Sequence, residues 1–114
     1  FHRGVSLAGS PDLALGVERN ICRGACQELM GGLPAEVPGR YRQGSPHHLL
    51  PLTIPQWHLL GELDPIVPVD YLEHCFNQAG PQQQFHFEMI PQIGHFEMVM
   101  PDTIAWDFIK KSLL

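Results

Sequence analysis

Three short apolar runs, each closed by a turn-forming cluster and followed by a stretch of helical periodicity, constrain this chain more than any other feature. The first is Gly4-Val5-Ser6-Leu7-Ala8, ended by Gly9-Ser10-Pro11-Asp12, the mixture that closes a strand and opens a helix. The second is Leu59-Leu60, introduced by Ile54-Pro55-Gln56-Trp57-His58 and delivering the chain to Gly61. The third, Phe85-His86-Phe87-Glu88-Met89-Ile90, sets Phe85, Phe87 and Met89 on one face and His86, Glu88 and Ile90 on the other, as expected near a sheet edge, and Pro91 terminates it.

The intervening stretches repeat with the period of helices. From Asp12 to about Met30, Val17, Ile21, Ala25 and Leu29 recur every four residues with charged residues between them, which predicts one amphipathic helix stopped by Gly31-Gly32. Pro68 suits the first turn of a second helix, whose apolar side is Val69, Leu72, Phe76 and Ala79 and whose end is Gly80-Pro81. Pro101-Asp102-Thr103 reads as a capping cluster before a last helix in which Ala105, Phe108, Ile109 and Ser112 share a side. Leu33 to Pro51, with four prolines and little periodicity, reads as an irregular surface segment that either borders a cleft or simply connects. Strand and helix thus alternate three times. By the right-handed crossover rule this predicts an α/β fold, a three-stranded parallel sheet flanked by helices, as a single domain over residues 1–114.

Charge and cysteine usage narrow the function classes. A formal charge of -5 with no basic cluster argues against nucleic acid or an anionic membrane surface as partner, and no apolar run approaches the ~18 residues of a membrane-spanning helix. Cys22 and Cys26 lie four apart in a helical pattern, a spacing that suits a disulfide poorly, so the three cysteines are expected to be reduced packing residues. Localisation is left open, with a reducing, cytoplasmic compartment favoured. The chain opens on Phe1 rather than Met, so its start is expected upstream, where any targeting segment would lie.

The chemistry-bearing residues are Asp64, in Gly61-Glu62-Leu63-Asp64-Pro65-Ile66-Val67-Pro68, and His95, in Gly94-His95. Each sits on a loop directly after a strand, where a parallel sheet keeps its reactive groups. One helix and one strand separate them, which returns the chain to the same sheet edge one strand over, about 5 Å away. An acid that orients a histidine, and a histidine that takes a proton from a nucleophile, need that placement. Glu62 is a rival acid but lies at the strand's exit, and Glu97 is expected to be solvated or bound within its own loop. Ser6, in Gly-x-Ser-x-Ala, is weighed as the nucleophile and set aside, because more strand and then a loop follow it where a nucleophile elbow needs a helix at once. His47-His48 are adjacent, so they cannot share a face as ligands at i and i+4 do, and the glycines form no phosphate cradle; neither a metal nor any other cofactor is implied.

Ser45-Pro46, Leu49-Leu50-Pro51-Leu52, Pro55-Gln56, Gly61-x-x-Asp64-x-x-Val67-Pro68, Gly94-His95-Phe96-Glu97 and Ala105-Trp106 together resemble the C-terminal part of α/β-hydrolase-fold enzymes, with Gly31-Gly32-x-Pro34-x-x-Val37-Pro38 fitting the segment ahead of the acid-bearing strand. The pattern is most similar to the esterase and prolyl-oligopeptidase-like serine hydrolases. The resemblance implies cleavage of a carboxylic ester or, second, a short peptide, with Asp64 as triad acid and His95 as triad histidine. It also implies a Gly-x-Ser-x-Gly serine and an oxyanion-hole loop upstream, neither of which these residues contain. The three strands would then be the last of eight, and the first would carry an unpaired inner edge through which the chain could self-associate; an inactive remnant working through that edge is the alternative reading. Trp57-His58 stand where that family would place smaller aliphatic residues.

Overall fold

The computed structural model describes residues 2–80 and 84–114. Strands β1 (Gly4–Leu7), β2 (Gln56–Gly61) and β3 (Phe85–Ile90) form one parallel sheet in the order β1-β2-β3, with Ser6 opposite His58 and Gly61 opposite Ile90. The expected parallel sheet with crossover helices is therefore present. The acid-bearing strand is longer than its Leu59-Leu60 centre, because Gln56, Trp57 and His58 pair with both neighbours.

Each face of the sheet has its own core. On one, Leu60 packs with Val67, Ile21 and the α4 (Val69–Gln78) residues Tyr71, Leu72 and Cys75. The buried side of α4 is thus rotated from the expected Val69-Phe76 stripe, and Val69 and Phe76 pack at its margin. On the other face, Leu59 and Ile90 pack with Ile93, Met98 and the α5 (Ala105–Leu113) residues Ala105 and Ile109. The α5 stripe is as expected, with Ala105, Ile109 and Ser112 buried. Thr103 bonds back to the Glu97 and Met100 carbonyls rather than capping that helix. Trp57 and His58 are accommodated by aromatic contacts: Trp57 stacks on His86 at 4.2 Å beneath the Arg3 guanidinium, and His58 meets the edges of Phe76 and Phe85.

The single helix expected from Asp12 to Met30 is instead two. Asp12 caps α1 (Leu13–Glu18) by accepting the Leu15 amide, and a second helix, α2, covers Ala25–Met30. Between them Asn20, Cys22, Arg23 and Gly24 all take left-handed backbone angles. That reversal turns Leu29 out to solvent and keeps Ile21 buried as expected, while Leu13, Gly16, Cys26 and Met30 supply the rest of the buried side. The turn is tied to the rest of the molecule through the Cys22 amide, which donates to the Ile66 carbonyl at 3.1 Å.

The Leu33 to Pro51 segment is more ordered than its prolines suggested. It contains α3 (Pro38–Gly44), started by Pro38 in its first turn, and a 3-10 turn over Pro46–Leu49. Tyr41 is buried against Leu13, Cys26 and Met30 and donates to the Gly32 carbonyl, so one aromatic anchor holds the segment down. At the end of α4, Gly80 takes a left-handed φ as a helix terminator does, while Pro81 lies outside the described residues.

Candidate active site

Gly61 is the last residue of β2, and the strand hands the chain to a turn in which the Asp64 amide donates back to the Gly61 carbonyl at 3.2 Å. Beyond β3 the chain folds over this turn. The Glu62 and Leu63 amides donate to the Ile90 and Ile93 carbonyls, both at 3.0 Å, and a Cβ placed on Gly61 would lie 2.1 Å from the Ile93 oxygen. The two loops therefore meet backbone to backbone, and only glycine permits the approach. Glu62, the rival acid, serves the loop instead, because its carboxylate accepts the amide of Gln92, whose φ is left-handed.

This contact brings Asp64 and His95 together. His95 Nδ1 lies 2.7 Å from Asp64 Oδ2, while Asp64 Oδ1 accepts the Ile66 and Val67 amides, both at 2.8 Å. The Asp64 side chain is wholly buried and His95 remains about a quarter exposed, with 0% and 25% of side-chain surface accessible. A buried carboxylate is tolerated only where hydrogen bonds replace its water, and here three donors do so. With Oδ1 taken by two backbone donors, Oδ2 is the acceptor for Nδ1–H. That fixes the imidazole tautomer, making Nε2 the nitrogen able to receive a proton. The Phe96 ring stands edge-on to His95 at 5.2 Å between centroids, and Leu63 and Phe96 are both largely exposed.

Three serine hydroxyls are engaged elsewhere. Ser10 donates to the Tyr71 hydroxyl, which itself donates to the Asp12 carbonyl; Ser45 is buried and accepts the Leu13 amide; Ser112 is buried and donates to the Ile109 carbonyl. Ser6 shares a register position with His58, three residues before Gly61, which places it about 10 Å back along the sheet from the strand ends. Among the described residues no hydroxyl is bonded to His95 Nε2. Glu97 is exposed, its carboxylate lying over Gly94.

Two other regions lie apart from this pair. The His47 and His48 rings lie 4.0 Å apart and tilted by 36°, with His47 Nε2 3.7 Å from Asp12. A cavity of about 110 Å³ walled by Leu49, Leu50, Leu52, Phe76 and Phe85 sits at the opposite, N-terminal end of the sheet, near His58. Burial there pushes the His58 pKa down to about 4, so that imidazole is neutral at physiological pH.

Sequence reasoning found Asp64 and His95 because each follows a strand. It missed the Ile66 and Val67 amides, whose signal is the Asp-x-x spacing by which an aspartate bonds the backbone two and three residues on. No family model matches the chain, and no curated protein matches it either.

Proposed function

We propose that this chain is the C-terminal part of an α/β-hydrolase-fold serine hydrolase that cleaves carboxylic esters in preference to short peptides. The observation that carries the reading is the 2.7 Å Asp64–His95 hydrogen bond, with the far oxygen of Asp64 locked by two backbone amides. In this reading the nucleophilic serine comes from a segment ahead of Phe1, as the sequence resemblance implies. His95 Nε2 takes the serine proton as the hydroxyl oxygen attacks the ester carbonyl, and Asp64 stabilises the imidazolium that results. His95 then returns the proton to the departing alcohol, leaving an acyl-enzyme that water hydrolyses by the same route. The exposed apolar side chains of Leu63 and Phe96 beside the pair favour an uncharged ester over a charged peptide.

The test is hydrolysis of a short p-nitrophenyl ester by the full protein as isolated from its source. His95→Ala should lower kcat on the order of 10⁴-fold or more. An unchanged rate in that variant would remove His95 from the chemistry.

A second reading rests on a different observation: among the described residues β1 is paired on one side only, within a sheet whose order is β1-β2-β3. Open strand edges pair with extended segments or second copies, so the chain in isolation would self-associate there. Size-exclusion chromatography discriminates. A dimer or larger species that dissociates in Val5→Lys fits edge pairing, and a monomeric wild type contradicts it.

A further inference from the structure

Side chains along β2 alternate between the two faces, so Gln56 and His58 lie on the same side as Leu60. Leu60 is covered by Tyr71, Leu72 and Cys75 of α4. Toward the start of the strand the cover passes from α4 to the stretch between Pro46 and Leu52. Where the two meet, among Leu49, Leu52, Phe76 and Phe85, the cavity of about 110 Å³ is left. An apolar void of about 150 Å³ takes up benzene. This one is smaller, but its Leu49 and Leu52 wall is 61% and 44% exposed, so a small ring can enter there and reach out to the surface.

The wall is not purely apolar. Gln56 and His47 both line it, and among the described residues Gln56 Nε2 and His47 Nδ1 are the two buried side-chain polar atoms without a partner. Folded proteins leave few such atoms unpaired, because each gives up its hydrogen bonds to water. The role of each is defined by its other contact. Gln56 Oε1 lies 3.2 Å from His58 Nε2, and that neutral imidazole donates to it, which leaves the Gln56 NH₂ group as a donor without an acceptor. His47 turns Nε2 toward Asp12 at 3.7 Å, which places the proton of the neutral ring there and leaves Nδ1 as an acceptor without a donor. We infer that this cavity is a binding site for a small uncharged molecule made of an apolar ring and one hydroxyl group, which accepts from Gln56 and donates to His47. A hydroxyl carries both functions on one oxygen. A ketone or ester lacks the proton, and an ammonium or carboxylate would have to shed its water in a mostly apolar cavity. The site lies at the end of the sheet opposite Asp64 and His95, and the inference does not depend on the hydrolase reading.

Phenol and toluene are the probes, alike in size and differing by a hydroxyl against a methyl group. Each is titrated into the full chain and followed through the imidazole C–H resonances of His47 and His58 in proton NMR. Phenol should bind saturably and at least about tenfold more tightly than toluene, the scale of a buried polar pairing made or left unmade. Gln56→Met keeps the reach of the side chain and removes the donor, so it should weaken phenol about tenfold and leave toluene where it was. Leu49→Trp, a change at the exposed wall that circular dichroism should show to leave the fold intact, should weaken both probes by blocking entry. No saturable phenol binding, because water or another stretch of polypeptide already fills the cavity, would overturn the assignment. So would equal affinities for phenol and toluene in the wild type, or a phenol affinity unchanged in either variant.

Discussion

Gly61 has no room for a side chain, since a Cβ there would meet the Ile93 carbonyl at 2.1 Å, and this places a residue without chemistry at the centre of the site. Gly61→Ala should cost about 3 kcal/mol in urea denaturation, at the upper end of overpacking penalties, because the obstruction is backbone and cannot rotate away. Asp64→Asn tests the other side of the contact. The asparagine keeps an oxygen for the Ile66 and Val67 amides but presents an NH₂ group to His95, so the imidazole loses its fixed tautomer. In the full protein, kcat should fall about 10⁴-fold with little change in fold, read by ester hydrolysis alongside circular dichroism. Asp64 and His95 were legible in the sequence because strand ends announce themselves through apolar runs and glycine. The need for Gly61 was not, because it arises from a loop more than thirty residues later folding over it.

At the scale of elements, apolar runs and periodicity located the three described strands and the two later helices but misread the region between Asp12 and Met30. The apolar residues there do recur every four positions, yet Ile21 is anchored in the sheet core while Cys26 and Met30 belong to a separate cluster around Tyr41, and one straight helix cannot serve both. The chain resolves the conflict with left-handed residues, of which Arg23 is exposed and has no glycine's freedom. Arg23→Gly should therefore stabilise the fold by about 0.5 to 1 kcal/mol, the relief of the left-handed penalty less the added chain entropy, measured as a higher urea midpoint. A lowered midpoint would show that the turn carries no strain at that position. The α3 helix was hidden for a related reason. Its one proline and two glycines argue for loop, and what makes it fold is the buried Tyr41, a tertiary contact outside any local pattern.

For the molecule as a whole, two cores on opposite faces of one small sheet leave His58 enclosed between Phe76 and Phe85, with a pKa of about 4 against an ordinary 6.5. Between those values the unfolded chain binds a proton that the folded chain refuses, so stability falls as pH drops from 6.5 toward 4. His58→Leu removes that contribution. The difference in urea midpoint between the variant and wild type should shift in the variant's favour on going from pH 7 to pH 5, and a difference independent of pH would contradict a neutral, enclosed His58. The parallel sheet itself was readable from the alternation of strand and helix, since only a crossover connection joins such strands. The division of labour between its ends was not, because the apolar cavity at one end and the Asp64–His95 pair at the other depend on which side chains the register brings together. The measurement that tests the central claim most directly is labelling of the full protein from its source with a fluorophosphonate, followed by peptide mapping. If Asp64 and His95 serve a nucleophilic serine, one serine outside these residues is labelled, and His95→Ala abolishes the labelling. Equal labelling in wild type and variant, or none in either, would contradict it.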